Sequence, residues 1–275
     1  MHCKKSFLAF CLLASLGAAV PGFAGVPAGA PAVLGQGNPL PLSSEGKAPQ
    51  GMPPGGFNPP GQVIQGTAAV DLKANGVYTD QTYTSVGNDE NALRVTGAAV
   101  NLDQVAIRKT GGASSNTEGG DFYGMNAALL ATDGAKVTIK DSTVTSSAKN
   151  GNGLFSYGKD TSLDAERVTI TTTGDNSGGI QTTGGATTRA WNLNVHTAGN
   201  SSAAIRSDRG GGTVQVNGGI YVTEGSGSPA IYSTAAISVQ DAVLQAAHSE
   251  GAVIEGKNNI RLVNCTLEGS MDGQR

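Results

Sequence analysis

From about Gly66 onward the apolar residues fall in short runs of period two, with no helical rhythm. Four stretches share one pattern: "VTIKDSTV" (137–144), "VQVNGGI" (214–220), "ISVQDAVL" (237–244) and "IRLVNCTL" (260–267). Two alternating apolar residues come first, then Asn or Asp, then further apolar residues. "VNLDQVAI" (100–107), "LDAERVTI" (163–170) and "AWNLNV" (190–195) are looser copies. Alternation of this kind predicts strands with one buried face. Asn and Asp suit the bend between two such strands, because they tolerate left-handed backbone and hydrogen-bond within their own turn.

A second signal has a longer period. A small residue followed by an apolar anchor recurs at Ala92-Leu93, Ala128-Leu129, Gly153-Leu154, Gly179-Ile180, Ala204-Ile205, Ala230-Ile231 and Val253-Ile254. Successive spacings are 36, 25, 26, 25, 26 and 23 residues. The long interval contains "TGGASSNTEGGDFYG", which reads as a loop insertion. Each repeat of about 25 residues therefore holds two or three short strands. A stack of hairpins would need Asn-Gly turns, and "VNGG" is the one clear candidate. Winding the repeats into coils explains more: each coil pairs with those above and below at about 4.8 Å, and the anchors stack inside. Seven coils would make a rod of roughly 34 Å at that rise.

Composition supports this reading and divides the chain. Gly makes up 41 of 275 residues and charged residues only 14%, which fits many tight turns joining short strands. The N-terminus has a charged start at Lys4 and Lys5, an apolar run from Phe7 to Val20 and the small-residue site "VPGFA". Residues 1–24 thus read as a secretory signal, with the protein exported to the cell surface or medium. Cys11 follows Phe10, which is too bulky for a lipoprotein site. Residues 25–66 hold nine of the eleven Pro, including "GMPPGGFNPPGQ", and read as a disordered linker. Residues 67–275 form the repeat domain. Its last stretch, "IRLVNCTLEGSMDGQR", stops soon after a strand pair, so the expectation is that the chain continues past Arg275 or that another chain covers this end.

These repeats resemble the right-handed parallel β-helix of the pectate-lyase-like superfamily, through "NALRV", "GGIQTT", "AAIRSD" and "PAIYST" with their following strands. With the signal and the Pro/Gly linker, the chain looks like secreted adhesin-like and autotransporter-passenger-like proteins of bacteria. That resemblance implies an all-β solenoid acting as a surface binding module, with host or bacterial glycans or matrix proteins as partners. The alternative it implies is a polysaccharide lyase or glycoside hydrolase, whose chemistry needs clustered carboxylates and bases on one outer face.

Few residues can carry chemistry. Loss of the signal removes two of 18 basic residues and none of the 21 acidic ones, leaving a net charge of about −5 and no basic stripe for nucleic acid. Cys265 stays alone, so no disulfide framework or cysteine metal site can form within the chain. Neither a cofactor nor a membrane span in the mature segment is expected. Aligned on the anchors, Arg94, Leu130, Phe155, Gln181, Arg206, Tyr232 and Glu255 form one outward row. Thr96, Thr132, Tyr157, Thr183, Asp208, Thr234 and Lys257 form another. Arrays of outward Thr can bind ice, but the interruptions favour plain strand propensity on a solvated face. The one charged cluster, Arg206, Asp208 and Arg209, with Tyr232 beside it, is a candidate surface-binding group whose plainer reading is a solvated ion pair. Glu118, Asp121 and Tyr123 in the insertion are candidate contact residues. No catalytic residue is assigned. His196 and His248 lie two repeats apart, too far to share a metal, and Trp191 reads as a partly buried core residue.

Overall fold

The computed structural model describes residues 62–271; the expected signal peptide and most of the expected linker lie outside them. Within them the alternating runs close into three parallel ladders, forming a β-solenoid of eight coils. The anchor ladder contains Asp71–Leu72, Leu93–Thr96, Leu129–Thr132, Leu154–Tyr157, Ile180–Thr183, Ile205–Ser207, Ile231–Ser233 and Ala252–Ile254, which define coils 1 to 8. The second ladder starts at Gly76–Thr79 and ends at Asn259–Val263, and the third runs from Thr82–Ser85 to Thr266–Gly269. In coils 5 and 6 the second and third ladders merge into single long strands, Ala186–Thr197 and Gly212–Thr223. "VNGG" therefore lies within a continuous parallel strand and turns no hairpin.

The anchors stack as the repeat spacing requires. Leu93 pairs with Leu129, Leu129 with Leu154, Leu154 with Ile180, Ile180 with Ile205 and Ile205 with Ile231. All six side chains are buried, each contributing about 1.5–3 kcal/mol by leaving water. Two corrections follow. An eighth coil precedes Leu93; its anchor strand is only two residues long, and its corner pair, Ala69-Val70, stands just before that strand, with Val70 packed against the core. At the other end Ala252, not Ile254, stacks on Ile231. The pair Gly251-Ala252 occupies the corner, Val253-Ile254 imitates it two residues later, and Ile254 is half-exposed. Glu255 and Lys257 accordingly leave the rows assigned to them.

One bend lies between the second and third ladders in every coil, inside the long strands of coils 5 and 6. Asp80, Gln104, Asp141, Arg167, Asn192, Gly218, Asp241 and Asn264 occupy it, all with φ between 49° and 71°. Asn and Asp were legible there; Arg167 was not, since a long side chain at positive φ costs free energy. Its guanidinium is held by Asp141 of the coil before, with Nε to Oδ1 at 2.7 Å and Nη2 to Oδ2 at 2.8 Å. This pairing holds the Asp141 carboxyl below the usual range.

The corner after the third ladder is closed by hydroxyls. Ser202 Oγ accepts from Ser177 N at 2.9 Å, and Ser228 Oγ accepts from Ser202 N at 2.9 Å. The same hydroxyls donate onward to Gly174 O and Gly199 O. Each buried corner amide thus finds an acceptor one coil further on, as buried backbone groups require. The solenoid interior is also not wholly apolar. Lys109 is fully buried in a row otherwise filled by Ser, Thr, Ala and Gly, with its Nζ donating to Ser85 Oγ and Gly87 O. Burial pushes its pKa down, partly opposed by Glu90 and Asp89.

Candidate functional site

The insertion between coils 2 and 3 is a helix, α1 (Thr117–Tyr123), and not a loop. Asn116 caps it, its Oδ1 accepting from Gly119 N at 2.9 Å, and Gly124 ends it in the left-handed region at φ 79°. Two glycines inside seven residues disfavour a helix by about 1 kcal/mol each, so docking must hold it. Gly120 explains the composition: a Cβ there would sit 2.5 Å from Asn150 Cβ. At Gly124 a Cβ would meet the Leu130 and Phe155 side chains.

Docking uses the outer face of the anchor ladder. Leu130 and Phe155 are buried with Ala127 beneath the insertion, and Tyr157 packs against them. Tyr157 meets Tyr123 edge-on at 5.5 Å between ring centroids. The last carbonyls of a helix lack internal partners; here coil 5 supplies them. Gln181 Nε2 donates to Asp121 O at 2.6 Å, and Thr183 Oγ1 donates to Phe122 O at 2.7 Å.

Coil 6 supplies the charge. Arg206 Nη2 lies 2.8 Å from Asp208 Oδ2 and 3.4 Å from Asp121 Oδ2, and all three side chains are only 12–14% exposed. Asn150 Nδ2 adds a bond to Asp121 Oδ1 at 2.9 Å. Burial works against the Arg206 charge, but Asp121 and Asp208 outweigh it and hold its pKa above the ordinary value. For Asp121 burial dominates and pushes its carboxyl up, with Arg206 opposing. The expected solvated ion pair is therefore a mostly buried clamp on α1. Arg209 lies over the Phe122 ring at 4.1 Å from its centroid and reaches Glu118 at 3.8 Å on the exposed rim. Tyr232 extends the cluster into coil 7, with the Arg206 guanidinium 5.9 Å from its ring centroid. Burial, then Glu255 and Asp208, push the Tyr232 phenol up.

All seven candidate residues from sequence thus lie in one cluster, although Asp121 and Arg206 are 85 positions apart. Gln65, Arg94, Asn150, Gln181 and Thr183 also belong to this covered face, and none was singled out as a site residue. Residues 65–67, mostly in the expected linker, lie over coil 2. Their three carbonyls accept from Arg94 Nη2, and Gln65 Nε2 donates to Thr132 Oγ1. The missed signal was outward Leu130 and Phe155, whose apolar side chains require a cover. Thr132 and Thr183 are fully buried, so the Thr row is not a solvated face.

Beside the clamp a shallow groove of about 200 Å³ is lined by Ser201, Ala203, Arg206, Gly227, Pro229 and Tyr232. Chemically the cluster binds and positions; both carboxylates are engaged by one guanidinium, leaving neither as a free base. Among the described residues no group of three or more His, Cys, Asp or Glu could share a metal, and no helix is long and apolar enough to cross a membrane. His196 instead pairs with Glu224 of the next coil, Nε2 to Oε1 at 3.0 Å. Trp191 requires a correction: it does not fill the core but faces outward, in register between Glu166 and Asn217, and is 38% exposed. Its neighbour Ala190 takes the inward position. No family model matches the chain, and neither a curated protein nor a solved structure shows similarity to it.

Proposed function

We propose that this chain is a secreted, surface-displayed β-helix of the pectate-lyase-like kind that acts as an adhesin-like binding module and not as an enzyme. The observation that carries this reading is the Arg206 clamp. The charged cluster on the anchor face, which an acid–base enzyme would need free, is engaged in holding α1. What it leaves open is a stiff scaffold with side chains repeated at about 4.8 Å steps, suited to weak multivalent contact. Partners of this chemistry are host or bacterial surface glycans or matrix proteins; nucleic acid is disfavoured by the negative charge.

The test pairs two assays on one preparation. Immobilised glycans and matrix proteins are screened for saturable binding, while the same polysaccharides are assayed for new reducing ends or unsaturated products. Binding without product is expected. Product release that is lost in Asp208→Asn, a variant that preserves side-chain shape, would replace this reading with a polysaccharide-active enzyme.

A further inference from the structure

We infer that the outward face of the second ladder in coils 5 to 7 is a binding site for a neutral oligosaccharide, centred on Trp191. This site is separate from the α1 clamp. It rests on the binding reading above and names the ligand class for a different surface.

The first observation is placement. Tryptophan is usually largely buried, so an outward one on a flat ladder is the informative exception. The chain has one Trp, and from it onward its row is uncharged: Trp191, Asn217 and Gln240 are register partners in coils 5, 6 and 7. The adjacent row brings Arg189, Gln215 and Ser238 into line. Strand spacing sets the rows' steps at about 4.8 Å and their separation, two residues along a strand, at about 6.6 Å. Trp191, Gln215, Asn217, Ser238 and Gln240 line one groove of about 230 Å³.

The second observation is what these side chains lack. Elsewhere the same face is charged, with Lys136 and Lys140 in coil 3 and Asp164 and Glu166 in coil 4. In the groove every named side chain is neutral. On the coil 4 and 5 side the flanking charges are matched, Arg189 with Asp164 at 3.0 Å and Glu166 with Arg167, and on the coil 8 side Arg261 stands in register with Ser238. Among the described residues the groove's three amides, its hydroxyl and the indole N–H make no hydrogen bonds. An aromatic plane beside unpaired planar amides and a hydroxyl complements a pyranose, which offers an apolar ring face and a rim of hydroxyls. The side chains lining the groove are all uncharged, which favours a neutral sugar, the single cation Arg261 standing beyond its coil 7 end; the row direction places an extended chain along the solenoid axis.

Because Trp191 is the sole tryptophan, its emission reports occupancy directly. The full chain would be titrated with neutral hexasaccharides of glucose and of N-acetylglucosamine, with hexagalacturonate and an unrelated peptide as comparators. The expected result is a saturable change in emission with a neutral hexasaccharide, insensitive to salt between 50 and 500 mM (roughly the range that abolishes screened contacts). By calorimetry Trp191→Ala should weaken binding at least roughly tenfold. Asn217→Ala and Gln240→Ala should each weaken it about two- to tenfold, as for one lost hydrogen bond. Circular dichroism confirms that each variant keeps its strands. Full-strength binding by a folded Trp191→Ala variant would overturn this site yet leave a glycan-binding module standing. Preferential, salt-sensitive binding of hexagalacturonate would do the same, and preferential binding of the peptide would overturn the site and its sugar class together. No response to any sugar also overturns the site, while binding to matrix proteins in the preceding assay keeps the broader reading.

Discussion

Replacing Arg206 by Met keeps the apolar stem and removes the charge that Asp121 and Asp208 share. Both carboxylates are 13–14% exposed, so they stay in a poorly hydrated place with no cation at 2.8–3.4 Å. Breaking a buried pair from one side costs about 3–5 kcal/mol. The strands need not unfold to relieve that cost; α1 can lift off. At about 1.4 kcal/mol per tenfold, protection of α1 should fall by roughly two to three and a half powers of ten. Hydrogen exchange reads this at the amides of Gly119, Gly120 and Met125, which bond Asn116 Oδ1, Asn116 O and Gly119 O. The Leu154 amide, bonded to Gly179 O, should exchange as in the parent. A pH arm checks the cause. The docked pKa of Asp121 lies above its undocked value, so the docked state binds more protons. Its stability therefore rises as pH falls through the window between those values. Without Arg206 that window extends upward, and the loss of protection should be smaller at pH 4.5 than at pH 7. Unchanged exchange at Gly119 and Met125, or a loss spread evenly over the strands, would refute the clamp.

Two further substitutions probe the interior. Tyr221 is fully buried and its hydroxyl has no hydrogen-bond partner among the described residues. Tyr221→Phe should therefore stabilise the protein by about 1 kcal/mol, raising the melting temperature by roughly 2–4 °C; a fall on thermal denaturation contradicts the assignment. Ser202→Ala removes the acceptor of the buried Ser177 amide and should cost about 1–3 kcal/mol in chemical denaturation, whereas a change below about 0.5 kcal/mol would mean that the hydroxyl ladder is not structural.

The coils were legible because their signals are local. Period-two alternation assigned the strands, and Asp141, Asp241 and Asn264 marked bends through their own backbone preferences. Strand parity alone puts Ala190 and Trp191 on opposite faces, whereas the general tendency of tryptophan to be buried points the wrong way here. The helix was illegible for the opposite reason: Gly119 and Gly120 argue against it locally, and what holds it is Gln181, Thr183 and Arg206, from coils formed much later in the chain. The slip at coil 8 arose because Val253-Ile254 repeats the corner signature of Gly251-Ala252 two positions too late.

A solenoid normally behaves as a one-dimensional chain in which each coil feels only its neighbours, so unfolding can start at either end and run inward. Helix α1 breaks that rule. It touches Leu130 of coil 3, Phe155 and Tyr157 of coil 4, Gln181 and Thr183 of coil 5, and Arg206 of coil 6, tying them with contacts that skip neighbours. Those four coils should consequently yield together, as one mechanical unit, when the rod is pulled or heated. Coils 7 and 8, beyond the helix, would fray one at a time, so the molecule has a built-in boundary between a segment that holds load and one that gives way.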